Sequence, residues 1–203
     1  MPETLPSMSP LQHENNFPDC FHMELEGILV KSDRIDLPIT IKFNEQWVSL
    51  PGGRFRFGLK GGTLRLKMEN GQIPKELLNL TGSKELQKRQ ATKNFQFPSM
   101  CQITMEGSEL NPTWVFELKI GSPVLKGVLP RENLGTLTVK NQPCCMEATF
   151  EVVLKYVHIT GVEGLWPENI SRNRQIVLER KIAEHLWKSK LQPYLSRAEL
   201  RYG

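Results

Sequence analysis

Alternation of apolar and polar residues, repeated along most of the chain and punctuated by glycine and proline, is the feature that most constrains the fold. Phe21, Met23 and Leu25 alternate with His22, Glu24 and Glu26, and Ile35, Leu37, Ile39, Ile41 and Phe43 alternate with Asp36, Pro38, Thr40 and Lys42. Successive strand residues point to opposite faces of a sheet, so a period of two marks half-buried strands. Trp114, Phe116, Leu118 and Ile120 define another strand from Thr113, Leu137 with Val139 a further one, and Ala148, Phe150, Val152, Leu154 and Tyr156 a longer one. Pro38 has no amide proton to give a ladder, which predicts that its strand lies at an edge or is broken there. Turn residues separate the runs at Pro51-Gly52-Gly53, Gly61-Gly62, Asn70-Gly71, Gly121-Ser122-Pro123 and from Gly161 to Gly164. The expected fold class is mainly β, an antiparallel β-sandwich or barrel-like domain with a short helical insertion and a C-terminal α-helix.

Three stretches depart from the alternation. Residues 1–19 hold Pro2, Pro6, Pro10 and Pro18 among polar side chains and read as a disordered leader, with neither the basic start nor the apolar run of a signal peptide. Residues 20–170 form the β-rich domain, interrupted at 75–94 by a polar insertion in which Ser83 is placed to cap a short helix. Residues 171–203 read as a C-terminal helical segment. Ser171 is its N-cap, Ile176, Ala183, Trp187 and Leu191 fall on one face, and Ser196 with Glu199 has capping-box spacing beyond Pro193. No window reaches the ~18 to 20 apolar residues of a membrane-spanning helix. Cys20, Cys101, Cys144 and Cys145 lack paired CxxC spacing, and reduced thiols point to a soluble, cytoplasmic protein. On that reading the sequons at Asn79 and Asn169 are chance matches.

Positive charge is sorted along the chain. Residues 54–93 hold ten Lys or Arg against three Asp or Glu, and residues 171–203 hold eight against three, while the remainder is net acidic. In the first block, a two-residue turn at Gly61-Gly62 would pair Leu59 with Leu64, Phe57 with Leu66 and Phe55 with Met68, all on one apolar face. The opposite face of this ribbon then carries Arg54, Arg56, Lys60, Arg65 and Lys67, with Arg56 directly against Lys67. Like charges so placed repel, so the face either lies open to screening solvent or meets an anion. Lys84, Lys88 and Arg89 follow in sequence and extend the patch. Since the ribbon's aromatic residues point inward, no stacking platform for bases is expected on its outer face.

In the second block, Arg174, Lys181, His185 and Lys188 fall within roughly a 60° arc at 100° per residue. Such a stripe fits phosphates, an acidic protein groove or an anionic membrane surface, or is simply the solvated side of a packed helix. Leu178, Ile182 and Leu186 widen the apolar arc, and Ile182, Leu186 and Trp187 are candidates for contact with a protein partner.

Catalytic chemistry finds no foothold. His13 lies in the leader, and His158 shares strand parity with Leu154 and Tyr156, as a core histidine would. Glu147 and Glu151 are separated by about 13 Å along one strand, too far for an acid–base pair. No HxH, HxxxH or CxxC cluster offers a metal site, and the Gly-Gly pairs do not open helices as phosphate loops do. No cofactor is expected. The sequence therefore points to a non-catalytic binding module or complex subunit that contacts nucleic-acid backbone through Arg54, Arg56, Lys60, Arg65, Lys67, Lys84, Lys88, Arg89, Arg174, Lys181 and Lys188. The alternative is a protein-assembly or adaptor subunit docking on an acidic protein surface through its C-terminal helix.

Overall fold

The computed structural model describes residues 9–79 and 100–203. Their strands are β1 (Ser9–Asn15), β2 (Phe21–Leu25), β3 (Ile28–Lys31), β4 (Arg34–Phe43), β5 (Gln46–Leu50), β6 (Gly53–Leu59), β7 (Gly61–Glu69), β8 (Gly71–Gln72), β9 (Met100–Gly107), β10 (Pro112–Ile120), β11 (Gly127–Val139), β12 (Cys144–Glu151), β13 (Val157–Glu163) and β14 (Ser196–Tyr202), with one α-helix, α1 (Arg172–Lys190). They form a six-stranded sheet in the order β1-β14-β12-β7-β10-β9, a five-stranded sheet with the path β2-β4-β11-β8 and β3 also on β4, and a three-stranded sheet β13-β6-β5. All the pairings of the strands are antiparallel. The mainly β, sandwich or barrel-like architecture expected from the alternation is what the chain adopts.

The core lies between sheets. Phe21 and Phe43 from the five-stranded sheet meet Phe150 and Phe116 from the six-stranded one, with the Phe21 and Phe150 rings stacked at 4.0 Å and Phe43 and Phe150 edge-on at 5.8 Å. Trp114, Leu64, Leu66 and Ala148 are fully buried beside them. Aromatic burial of this kind supplies much of a sandwich's stability.

The chain changes sheet at Lys60. β6 pairs with β5 and β13, whereas β7 pairs with β10 and β12, so the predicted β6–β7 hairpin does not form. At the corner the Lys60 amide donates to the Tyr156 carbonyl, and the Leu118 amide donates to the Lys60 carbonyl. The β12–β13 connection bends at the same place through a short 3-10 turn, Leu154–Tyr156. Two antiparallel pairs, β7–β12 and β6–β13, thus run through one corner, a usual way for strands to pass between sheets. Gly61 and Gly62 serve close approach here. A Cβ on Gly61 would lie 2.3 Å from the Phe116 carbonyl oxygen, and one on Gly62 2.3 Å from the Phe150 ring. The inward parity of Phe55, Phe57, Leu59, Leu64, Leu66 and Met68 holds, but their partners differ from those the turn implied.

Other expectations also need correction. Within the stretch read as a disordered leader, residues 9–15 form β1 on β14, Asn15 donates its side-chain amide to the Phe21 carbonyl at 2.7 Å, and the Phe17 ring meets Phe57 edge-on at 5.1 Å. An edge strand needs little apolar surface when its backbone hydrogen bonds are supplied by a neighbour, and Pro10 is tolerated there. The C-terminal segment is helical only to Lys190. Ser196, Ala198, Leu200 and Tyr202 are buried and alternate with Arg197, Glu199 and Arg201 in β14, between β1 and β12, so the capping-box reading fails. Pro38 lies inside β4, which is interior to its sheet. The neighbouring strands break around it instead: the Glu26 amide reaches the Pro38 carbonyl between β2 and β3, and Asn133 accepts the Leu37 amide where β11 is irregular. In the expected insertion, Lys75–Leu77 is a 3-10 turn and residues 80–94 lie outside the described residues.

Candidate functional site

The corner at Lys60 divides the basic ribbon between two surfaces. Arg65 and Lys67 lie on the outer face of the six-stranded sheet, where neighbouring strands bring carboxylates to them. Arg65 pairs with Glu151 at 3.2 Å, and Lys67 stands opposite Glu147 in the β7–β12 register. Along β7, β12 and β14 the outward charges are Arg65, Lys67, Arg197 and Arg201 against Glu69, Glu147, Glu151 and Glu199. At the centre, the Nε of Arg197 donates to Glu147 at 2.8 Å, its guanidinium also meets Glu199 and Glu14, and the Tyr194 hydroxyl donates to Glu14 at 2.8 Å. Over β7, β12 and β14 the cations and anions are equal in number, and Glu14 of β1 adds a further carboxylate.

Arg54 and Arg56 lie instead on the three-stranded sheet. Arg56 faces Trp47 and Gly161 across its two neighbours, not Lys67. The guanidinium carbons of Arg54 and Arg56 lie 4.5 and 5.3 Å from the Trp47 ring centroid. An aromatic ring therefore does stand on this outer face, supplied by β5 rather than by the ribbon itself. Arg54 is paired with Glu163, and Arg56 lies 3.5 Å from Glu45 and donates to the Thr160 hydroxyl at 3.3 Å. Glu45 also meets Lys126 and has a side chain only 10% exposed. Burial pushes its pKa up, but hydrogen bonds from Lys126 and Thr160 and the charges of Lys126 and Arg56 outweigh that, and the net direction is down.

α1 packs its Ala183 and Leu186 face toward β13 and the Leu154–Tyr156 turn. It carries six Lys or Arg and two Glu. Arg174, Lys181, His185 and Lys188 are all exposed, as the stripe predicted, with Lys188 paired to Glu184 at 2.6 Å. Two large apolar residues of the same helix are also open to solvent, Ile176 at 49% and Val177 at 53%. Ile182 and Trp187 are half-buried, Leu186 is buried, and the Trp187 indole donates to the Val152 carbonyl at 2.8 Å, so these three serve the helix's own packing.

A hollow of about 550 Å³ lies between α1 and β13, with Leu154, Val157, Ile159, Ile176 and Ala183 as its apolar lining and Lys155, Arg172 and Arg180 among its charged residues. A second, of about 330 Å³, shares His158, Ile159, Arg172 and Glu179 with it and adds Thr160, Gly161, Trp166 and Gln175. Because Thr160 also receives Arg56, the first half of the ribbon and the start of α1 border one stretch of β13. Half of the predicted basic surface is thus joined to the helix, and half is not. Lys84, Lys88 and Arg89 lie outside the described residues.

The 3-10 turn before β13 shifts the strand parity, so Val157 and Ile159 are buried and His158 is half-exposed in both hollows, not a core residue. Burial and the nearby Lys60 charge lower its pKa, against the opposing pull of Glu179 and Glu45. Burial pushes the Cys144 thiol up to about 11 and that of Cys101 up to about 12, and Cys20 is raised further, which keeps all three thiols protonated at neutral pH. No group of three or more His, Cys, Asp or Glu among the described residues is placed to hold a metal ion.

Sequence reasoning overlooked Trp47, Glu45 and Lys126, which come to the ribbon from other elements, and Arg172 and Arg180, which the helical wheel set outside its stripe; Ile176, expected on the packed apolar face with Ala183, Trp187 and Leu191, is instead open to solvent because the helix meets its neighbour mainly through Ala183 and Leu186. No known protein family matches the chain, and no curated protein or solved structure is significantly similar to it.

Proposed function

We propose that this protein is a non-catalytic docking subunit that takes an acidic segment of a protein partner on the surface formed by α1 and β13. The observation that carries the reading is the exposure of Ile176 and Val177 on a helix bearing six cationic side chains. Phosphate contacts need charge alone, whereas apolar side chains left in water beside unneutralised cations suit an acidic chain with apolar residues of its own. Arg172, Arg174, Arg180 and Lys181 have no ion pair among the described residues, unlike Arg54, Arg56 and Arg65. A cytoplasmic setting fits four unpaired cysteines. No helix among the described residues is long and apolar enough to cross a membrane.

A second reading, contact with single-stranded nucleic acid, is favoured by one feature: the Trp47 ring flanked by Arg54 and Arg56 beside the start of α1. The two separate by experiment. Labelled polyglutamate and random single-stranded oligonucleotides are titrated with the protein across a salt series. Docking of an acidic protein predicts binding of polyglutamate that Arg172→Glu with Arg180→Glu, both lining the hollow between α1 and β13, weakens by about tenfold, and that Arg65→Glu with Lys67→Glu leaves unchanged. Oligonucleotide binding that is lost in Trp47→Ala, with no binding of polyglutamate, would replace the first reading by the second.

A further inference from the structure

The hollow between α1 and β13 has a chemistry that outward charge alone does not explain. Its lining is apolar at Leu154, Ile159 and Ile176, and Arg172 and Arg180 bring guanidinium groups to it with no ion pair among the described residues. The one carboxylate inside, Glu179, is engaged by the Gln175 side-chain amide at 2.8 Å. A ligand complementary to this surface buries an apolar group and carries negative charge on either side of it.

Resting on the docking role proposed above, we infer that this hollow is the specificity pocket of the site and receives one large apolar side chain, Leu, Phe or Trp, from a partner segment in which that residue is flanked by Asp or Glu. The hollow opens to solvent along one side, and the second hollow continues from it around Arg172 toward Trp166 and Thr160. Such a path is longer than one side chain and suits a polypeptide lying along the helix, the groove mode in which apolar anchors give specificity. Ile176, wet on one side in the free protein, becomes covered. Arg172 and Arg180 meet the flanking carboxylates, where planar guanidinium forks bind best.

The test uses fluorescence anisotropy with two labelled peptides of equal charge, a Glu-rich peptide carrying Leu and Phe four positions apart and its counterpart with both replaced by alanine. The apolar version should bind about tenfold or more tightly, the effect of burying one large side chain. Ile176→Asp in the full chain should remove that preference, and Ile176→Ser, a milder change at a half-exposed position, should reduce it. Ile28→Asp, the same charge change at an exposed isoleucine of β3, should not. Equal binding of both peptides overturns the pocket and leaves electrostatic docking standing. Binding of neither at low salt overturns the docking role itself. Displacement of the apolar peptide by decanoate, with decanoate binding at least as tightly, would make the occupant a small amphiphile and overturn the assignment to a polypeptide.

Discussion

The outer face of the six-stranded sheet and the outer side of α1 carry the same kinds of charged residue in opposite arrangements. On the sheet, Arg65 and Arg197 have carboxylates on adjacent strands, and the cations and anions of β7, β12 and β14 are equal in number. On the helix, Arg172, Arg174, Arg180 and Lys181 stand without ion pairs among the described residues, next to exposed Ile176 and Val177. The difference lies in how each element meets its neighbours. A strand inside a sheet has two lateral partners whose residues come from remote sequence, so a locally basic strand is readily neutralised. A surface helix touches its neighbour along one face and keeps its charge to itself. Local charge density therefore reports surface potential on a helix far better than on a strand.

The corner at Lys60 creates the contrast, since it sends Arg54 and Arg56 toward the helix and Arg65 and Lys67 to the balanced face. Its strongest test is at Phe150, Gly61 and Gly62. Phe150→Ala should destabilise the protein by about 3 to 5 kcal/mol, because the ring packs against Phe21, Phe43 and Phe116. Gly61→Asn should cost about 1 to 3 kcal/mol, since its Cβ would collide with the Phe116 carbonyl. A hairpin turn would instead accept asparagine there without loss. Urea denaturation of the two variants decides. A neutral Gly61→Asn would restore the hairpin and merge the two halves of the ribbon into a single basic face.

What the sequence discloses here is periodicity, and what it hides is partnership. The inward parity of Phe55, Phe57, Leu59, Leu64, Leu66 and Met68 was legible because Cβ direction is a local property of a strand. That β6 joins β5 and β13 was not, because the same parity is compatible with either partner. β14 shows the reverse problem: Ser196, Ala198, Leu200 and Tyr202 alternate cleanly, yet the spacing of Ser196 and Glu199 imitates a helix start. His158 was misplaced by one turn of 3-10 helix, enough to exchange the inside and outside of the following strand. On the helix, the exposure of Arg174, Lys181 and Lys188 was legible. The hollow on the helix's other side was not, because it needs β13 against α1 and no single segment contains it.

A smaller effect separates the two faces directly. Arg197 has three carboxylate neighbours and lies on a central strand, so Arg197→Ala should cost about 1 kcal/mol and leave those acids repelling one another. Arg180→Ala on the helix should change stability by less than about 0.5 kcal/mol. Matched denaturant melts read both. Comparable losses would mean that Arg180 also has a structural partner, and the helix face would then be less available than the docking proposal requires.

A change of similarly small size is expected at the start of α1 and ties stability to function. Ser171 occupies the N-cap with extended backbone, φ −63° and ψ 145°, but its side chain makes no capping hydrogen bond, and the first turn holds no acid. Arg172 and Arg174 stand there instead, cations at the positive end of the helix dipole, an arrangement that opposes helix stability. Ser171→Asp supplies a stronger acceptor for the free amides and a negative charge against the dipole, and should stabilise the protein by about 0.3 to 1 kcal/mol. The same carboxylate would compete with an acidic partner for Arg172. A variant that becomes more stable yet binds the acidic peptide more weakly places the start of α1 within the docking face, whereas a gain in stability with unchanged affinity confines docking to the later turns around Arg180.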